Sequence, residues 1–94
     1  MKVYKRIIAS VRGRVQGVGF RYYIMNVARN LLIAGYVQNV RDGTVEVVAE
    51  GGETELKSLI EVLRIGPATS RVDDCYVQWL PFENTFNDFQ MRVK

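Results

Sequence analysis

Two kinds of hydrophobic periodicity alternate along the chain and predict a β-α-β-β-α-β order of elements. Within residues 6–11, Ile7, Ala9 and Val11 alternate with their neighbours, as expected of a strand with one buried face. After a glycine-rich stretch, apolar residues recur every three or four positions and predict an amphipathic helix that ends near Ala34-Gly35. The residues with this helical spacing are Phe20, Ile24, Val27 with Ala28, and Leu31.

A hairpin is predicted in the middle of the chain. Residues 36–40 and 44–50 are rich in valine, and between them lies the sequence Arg41-Asp42-Gly43. An Asp-Gly pair between two β-prone segments is a strong hairpin signal. Strands two and three are therefore expected to be antiparallel neighbours, and Asp42 is expected to serve the turn rather than catalysis.

The second half of the chain predicts one more helix and two more strands. The helix is marked by Leu56, Leu59, Ile60 and Leu63, and Gly66-Pro67 should end it. Residues 71–80 are rich in Val, Tyr and Trp and predict a strand, and residues 86–93 predict a short C-terminal edge strand.

Two helices cannot cover both faces of a sheet this small, so the economical packing has two layers. We expect an α/β (α+β) two-layer sandwich with an antiparallel sheet, both helices on one face and water on the other. A chain of 94 residues is long enough for one hydrophobic core, which predicts a single domain over residues 1–94.

Composition restricts the kinds of chemistry that are open to this chain. The net charge of +3 permits an anionic ligand but is far from the dense basic surface of a nucleic-acid binder. Cys75 is the only cysteine, so the chain cannot form an internal disulfide or a metal site built from cysteines. It has no histidine, which is the commonest metal ligand and the commonest general base near neutral pH. No apolar segment has the length of a signal peptide core or a membrane span, and we expect a cytoplasmic protein without a membrane partner.

The stretch GRVQGVGFR, residues 13–21, lies between the first strand and the first helix. Backbone N–H groups at a helix start lack intrahelical partners, and glycines let successive N–H groups converge on one anion. Arg21 adds a planar charged group suited to phosphate. Composition alone favours a simpler interpretation, a tight turn with a solvated arginine, and the pattern matches neither a Walker loop nor a dinucleotide fingerprint.

The segment GVGFRYY superficially resembles the aromatic RNA-binding motif of another fold with the same element order. That motif belongs on the third strand, whereas here it precedes the first helix. The third-strand segment TVEVVAE has no aromatic residue for stacking on bases. RNA binding is therefore disfavoured, and Tyr22 and Tyr23 are expected to pack around the start of the helix.

Several blocks in one order resemble the acylphosphatase family. They are GRVQGVGFR, then Ala28 and Leu31, then GYVQNVRDGTVEVVAEG, and GP after the second helix. The resemblance extends from Val11 to about Val93. Leu32 stands where members often have glycine and Tyr36 where tryptophan is common, while the segment PFENTFND matches little.

The resemblance implies a ferredoxin-like sandwich that hydrolyses acyl phosphates to a carboxylate and inorganic phosphate. It implies no metal, no cofactor and no covalent intermediate. Arg21 matches the phosphate-binding arginine of the family, and Asn39 matches its water-positioning asparagine. The segment that matches the phosphate-holding backbone consists of Gln16, Gly17, Val18, Gly19 and Phe20.

The expected partners are a small-molecule acyl phosphate and inorganic phosphate as product, and we expect a monomer. An alternative function is that of a non-catalytic phosphate- or acyl-phosphate-binding module, similar to the acylphosphatase-like domain at the front of larger carbamoyl-transfer maturation proteins. Because the sequence ends at Lys94 without a second domain, the stand-alone enzyme is favoured.

Overall fold

The computed structural model describes residues 1–93 and contains two helices and five strands. The predicted β-α-β-β-α-β order with an additional C-terminal strand is confirmed. In chain order the elements are β1 (Tyr4–Arg14), α1 (Phe20–Asn30), β2 (Ala34–Asn39), β3 (Val45–Gly52), α2 (Glu53–Ile65), β4 (Arg71–Pro81) and β5 (Phe89–Arg92).

Helix α1 ends at Asn30, earlier than the predicted end near Ala34-Gly35. Leu32 adopts a left-handed conformation with φ 58°, and its N–H donates to the carbonyl of Arg29 at 3.1 Å. The next N–H, from Ile33, reaches back to the carbonyl of Ala28 at 2.9 Å. These two bonds form a Schellman motif, a helix stop that normally has glycine at the left-handed position. Because leucine and not glycine occupies that position, the sequence did not indicate where the helix ends.

The five strands form one sheet in the order β4-β1-β3-β2-β5. The pairs β1–β4, β1–β3 and β2–β3 are antiparallel, which confirms the prediction for the four longer strands. The short strand β5 lies at the edge as predicted, and it pairs with β2 in parallel.

Both helices pack on one face of the sheet, where the side chains of alternate strand residues are buried. In β2 and β3, Val37 pairs with Val47 and Asn39 with Val45, and all three valines are fully buried. Asn39 is two residues from Val37, so its side chain lies on the helix-covered face, at the end of the strand. The core also contains Ile7, Ala9, Val11, Phe20, Ile24, Leu56, Leu59 and Leu63.

The opposite face of the sheet was predicted to face water, but protein covers part of it. Strands β4 and β5 lie at opposite edges, so the segment 82–88 that joins them has to cross this face. The carboxylate of Glu50, which is only 3% exposed, accepts hydrogen bonds from the N–H groups of Glu83, Asn84 and Thr85 at 2.6, 3.2 and 3.1 Å. The segment PFENTFND is therefore the crossing connection.

Neither helix within residues 1–93 has the length and apolar character required to cross a lipid bilayer.

Candidate active site

Residues 15–19 connect β1 to α1 and carry the predicted anion-binding loop. Gly17 and Gly19 have φ values of 73° and 77°, a region that glycine enters at no steric cost. Gly19 is the residue before the helix, and no side chain caps the helix there. The first turn of α1 also has no acidic residue. The helix itself therefore supplies no acidic side chain to its positively polarised start.

The backbone N–H groups between Gln16 and Tyr22 donate no hydrogen bond to any other group within residues 1–93. The first N–H of the region that does so belongs to Tyr23, which donates to the carbonyl of Gly19 at 3.1 Å. A curved backbone with several free N–H groups at a helix start is a ready site for phosphate oxygens.

Arg21 lies in the first turn of α1, and its guanidinium is held by the last strand. Its Nη1 donates to the backbone carbonyl of Arg92 in β5 at 2.9 Å. A guanidinium has five N–H donors in a planar fork, so one bond of this kind orients the group and leaves other donors for an anion.

Asn39 is the last residue of β2, and its Oδ1 atom is buried without a hydrogen-bond partner among the described residues. Leaving a buried polar atom unpaired costs about 1–3 kcal/mol, so such an atom calls for an explanation, and a catalytic role or a bound water is one. An amide oxygen in this state can accept a hydrogen bond from a water molecule.

A cavity of about 220 Å³ brings the two predicted catalytic residues, Arg21 and Asn39, to one place. This volume is well above the roughly 30 Å³ that one water molecule occupies in the liquid. Of the predicted phosphate-binding residues, Gly17, Gly19 and Phe20 also line the cavity. The remaining lining residues are Val15, Tyr22 and Met91.

Gln16 and Val18, the other two predicted phosphate-binding residues, contact the rest of the fold from the loop. The Nε2 of Gln16 donates to the carbonyls of Val40 and Thr44 at 2.8 and 2.9 Å, which joins the loop to the β2–β3 turn directly after Asn39. The carbonyl of Val18 accepts from the hydroxyl of Thr69 at 2.7 Å. Both residues can offer an anion their main-chain N–H groups, while the Gln16 amide holds the loop in register with Asn39.

Comparison with known sequences identifies the family. The family model described as Acylphosphatase matches residues 7–91, which include the loop, Arg21 and Asn39. The chain belongs to the acylphosphatase family. The prediction of an acylphosphatase, made from the blocks along the sequence, is confirmed at this level.

Curated relatives support the acylphosphatase assignment over almost the full length. The acylphosphatase of Salinibacter ruber is 44% identical over 88 residues, which cover 94% of this chain and 93% of the relative. That of Caldanaerobacter subterraneus subsp. tengcongensis is 41% identical over 87 residues, which cover 93% of this chain and 97% of the relative.

Solved structures show the acylphosphatase fold both alone and within a larger chain. The crystal structure of acylphosphatase from Bacillus subtilis has a TM-score of 0.91 and 37% identity, covering 95% of this chain and 99% of that one. The crystal structure of T. kodakarensis HypF has a TM-score of 0.77 and 32% identity, and it covers 100% of this chain but only 12% of that one.

Val15, Tyr22 and Met91 line this acylphosphatase cavity but are not among the site residues predicted from the sequence. Val15 and Tyr22 directly flank the predicted residues 16–21. Tyr22 is predicted to pack around the helix start, but it is 61% exposed. Met91 lies on β5, whose parallel pairing places it beside Val37 of β2, and no local pattern in the sequence indicates this contact.

Asp42 has the turn role that the hairpin pattern predicts. Its carboxylate accepts hydrogen bonds from the hydroxyl and the N–H of Thr44, at 2.7 and 3.0 Å. These bonds, the hydroxyl bond foremost, lower the pKa of Asp42 below its usual value because they favour the ionised form. The residue is exposed and does not line the cavity.

Proposed function

We propose that this chain hydrolyses acyl phosphates to a carboxylate and inorganic phosphate by direct attack of water. In this proposal the loop of residues 16–20 and Arg21 hold the phosphoryl group, and Asn39 positions the water. The observation that supports it is that Arg21 and Asn39 line one cavity at the start of α1, and that the Oδ1 of Asn39 has no hydrogen-bond partner among the described residues.

The phosphoryl group is the part of the substrate that this site is suited to hold. The free N–H groups of the loop can donate to its equatorial oxygens, and the guanidinium of Arg21 can neutralise their charge. Phosphoryl transfer needs little covalent chemistry from a protein, so positioning and electrostatic stabilisation are sufficient for catalysis. Neither requires a histidine.

The attacking water is assigned to Asn39. Its buried Oδ1 can accept one hydrogen of the water and so direct a lone pair of the water oxygen at phosphorus. An amide cannot remove the proton, and the guanidinium of Arg21 cannot either, because it has donors only and no acceptor for a proton. We assign the proton to a phosphoryl oxygen of the substrate.

The leaving group needs no acid. As the new bond forms between the water oxygen and phosphorus, the bond between phosphorus and the acyl oxygen breaks, and its electron pair leaves with the carboxylate. The conjugate acid of a carboxylate has a pKa of about 4, so the group departs unprotonated. An alkoxide would need a proton donor. We therefore expect much slower turnover of alkyl phosphate monoesters, and equal rates on the two classes would contradict this site.

The decisive assay follows the hydrolysis of acetyl phosphate in the presence of a chelator, with and without inorganic phosphate. We expect turnover that phosphate inhibits competitively, because product and substrate share the phosphoryl site. Arg21→Ala should abolish turnover and raise the inhibition constant for phosphate. Arg64→Ala is the matched control, because Arg64 is an exposed arginine on α2 outside the cavity.

A second function from another class has one observation in its favour, namely the likeness to a segment that makes up 12% of T. kodakarensis HypF. In that case the chain would be a non-catalytic phosphate- or acyl-phosphate-binding module. Phosphate binding without turnover of acetyl phosphate would favour the module over the enzyme. The monomeric state, the cytoplasmic location and the absence of a nucleic-acid partner stay predictions from the sequence.

A further inference from the structure

Asn39 and Tyr22 line the same cavity but differ in exposure. The Oδ1 of Asn39 is buried, whereas Tyr22 is 61% exposed. We take Asn39 to mark the inner end of the cavity, called the floor below, and Tyr22 the solvent end, called the mouth. In-line displacement places the attacking and leaving oxygens on opposite sides of phosphorus. With water at the floor beside Asn39, the acyl group must therefore leave through the mouth.

Beside Tyr22, a second lining residue offers the acyl group an apolar contact. Met91 of β5 also lines the cavity, and it is partly buried against the core. Among the described residues, Arg21 is the only charged one that lines the cavity, and the proposed function assigns it to the phosphoryl group. An acyl group with a second anionic charge would therefore find no cationic partner in the lining, whereas an apolar one would find an aromatic ring and a thioether.

From this placement we propose that Tyr22 and Met91 form a subsite for the acyl group, selective for uncharged aryl acyl phosphates. The inference rests on the proposed function, because it assumes that the loop and Arg21 hold the phosphoryl end. Tyr22 is a specificity-determining residue in this account. Its ring contacts the acyl group and takes no part in the displacement at phosphorus.

The experiment compares benzoyl phosphate with acetyl phosphate, since the two share the phosphoryl group and differ only in the acyl part. The measured quantity is the ratio of their kcat/KM values. A contact between two aromatic rings is worth enough to change this ratio about threefold to tenfold. We expect Tyr22→Ala to lower the preference for benzoyl phosphate over acetyl phosphate by this factor.

Tyr23→Ala is the matched control. Tyr23 is the next residue of the same helix, has the same side chain and does not line the cavity, so its replacement should leave the ratio unchanged. Tyr22→Phe should keep the wild-type ratio because the ring and not the hydroxyl makes the contact. Met91→Ala should lower the ratio in the same direction as Tyr22→Ala.

The experiment distinguishes failure of the proposed hydrolysis from failure of the acyl subsite. If the wild-type chain turns over neither substrate, the proposed hydrolysis fails and the subsite fails with it. If the wild-type chain turns over both and phosphate inhibits, but Tyr22→Ala leaves the ratio unchanged or Tyr23→Ala lowers it equally, the subsite alone is refuted.

Discussion

Glu50 is expected to be among the most costly side chains to remove outside the hydrophobic core. Its carboxylate accepts three backbone N–H bonds from the segment that crosses the sheet, and it also lies 3.4 Å from the guanidinium of Arg6. Glu50 is 3% exposed, so water cannot replace these partners in the folded state. The perturbation we consider is Glu50→Ala.

The magnitude follows from the bonds that are lost. A hydrogen bond to a charged group contributes about 1.5–3 kcal/mol, but the three share one acceptor and do not add in full. The N–H groups of residues 83–85 belong to an exposed segment and can be hydrated in the variant. Arg6 loses a buried partner, which adds to the cost. We expect a loss of about 3 kcal/mol in the free energy of unfolding, and a fall in Tm of about 10–25 °C for a domain of this size.

Urea denaturation measures this loss directly, with Glu83→Ala as the control. Glu83 also lies near Arg6, at 3.7 Å, but its side chain is 58% exposed, so removing it should cost about 0–1 kcal/mol. If Glu50→Ala loses less than about 1 kcal/mol, or no more than Glu83→Ala, the crossing segment is not held by this carboxylate and the reasoning is refuted.

Three further outcomes are expected. Gln16→Ala should lower kcat for acetyl phosphate by about tenfold or more, because the loop loses its two bonds to the turn beside the water-positioning residue; unchanged kcat would contradict this role. Leu32→Gly should stabilise the fold, raising the free energy of unfolding by about 0.5–1 kcal/mol. Leu32 is 86% exposed, so little packing is lost, and relief of the left-handed strain exceeds the entropy gained by the unfolded chain. The same change at Leu31, where φ is −87°, should be destabilising, and urea denaturation compares the two variants. The lowered pKa of Asp42 stabilises the fold at pH values above the unfolded-state pKa of about 4, and this stabilisation is lost as the pH falls through the folded-state pKa. The difference in free energy of unfolding between wild type and Asp42→Asn should therefore shrink on acidification. A difference that stays constant with pH would contradict this.

The parts of the fold that local patterns determine were predictable from the sequence. The Asp-Gly hairpin joins antiparallel neighbours, and Gly66, with φ 70°, directly follows α2. The end of α1 was not predictable, because leucine occupies a left-handed position where glycine would have given the signal. The crossing of residues 82–88 and the burial of Glu50 depend on which strands form the edges, and no local pattern shows that.

The candidate site was also only partly predictable from the sequence. The glycines and Arg21 made an anion-binding loop chemically plausible, but the preference for it over a simple turn, and the role of Asn39, came from the family resemblance. Strand alternation puts Asn39 on the helix-covered face, and only the tertiary fold brings it into a cavity with Arg21. The contacts of Gln16 with the turn and the presence of Met91 in the lining are also tertiary, so no local pattern indicated them.

The central claim is that binding of the phosphoryl group and positioning of the water belong to different residues, and Asn39→Ala tests it most directly. Turnover of acetyl phosphate and the dissociation constant of inorganic phosphate are measured on the same variant. The account predicts a loss of kcat on the order of a hundredfold, with the dissociation constant for phosphate within about threefold of the wild-type value. Near-normal turnover would contradict the water-positioning role, and a loss of phosphate affinity as large as the loss of kcat would contradict the division between the two residues.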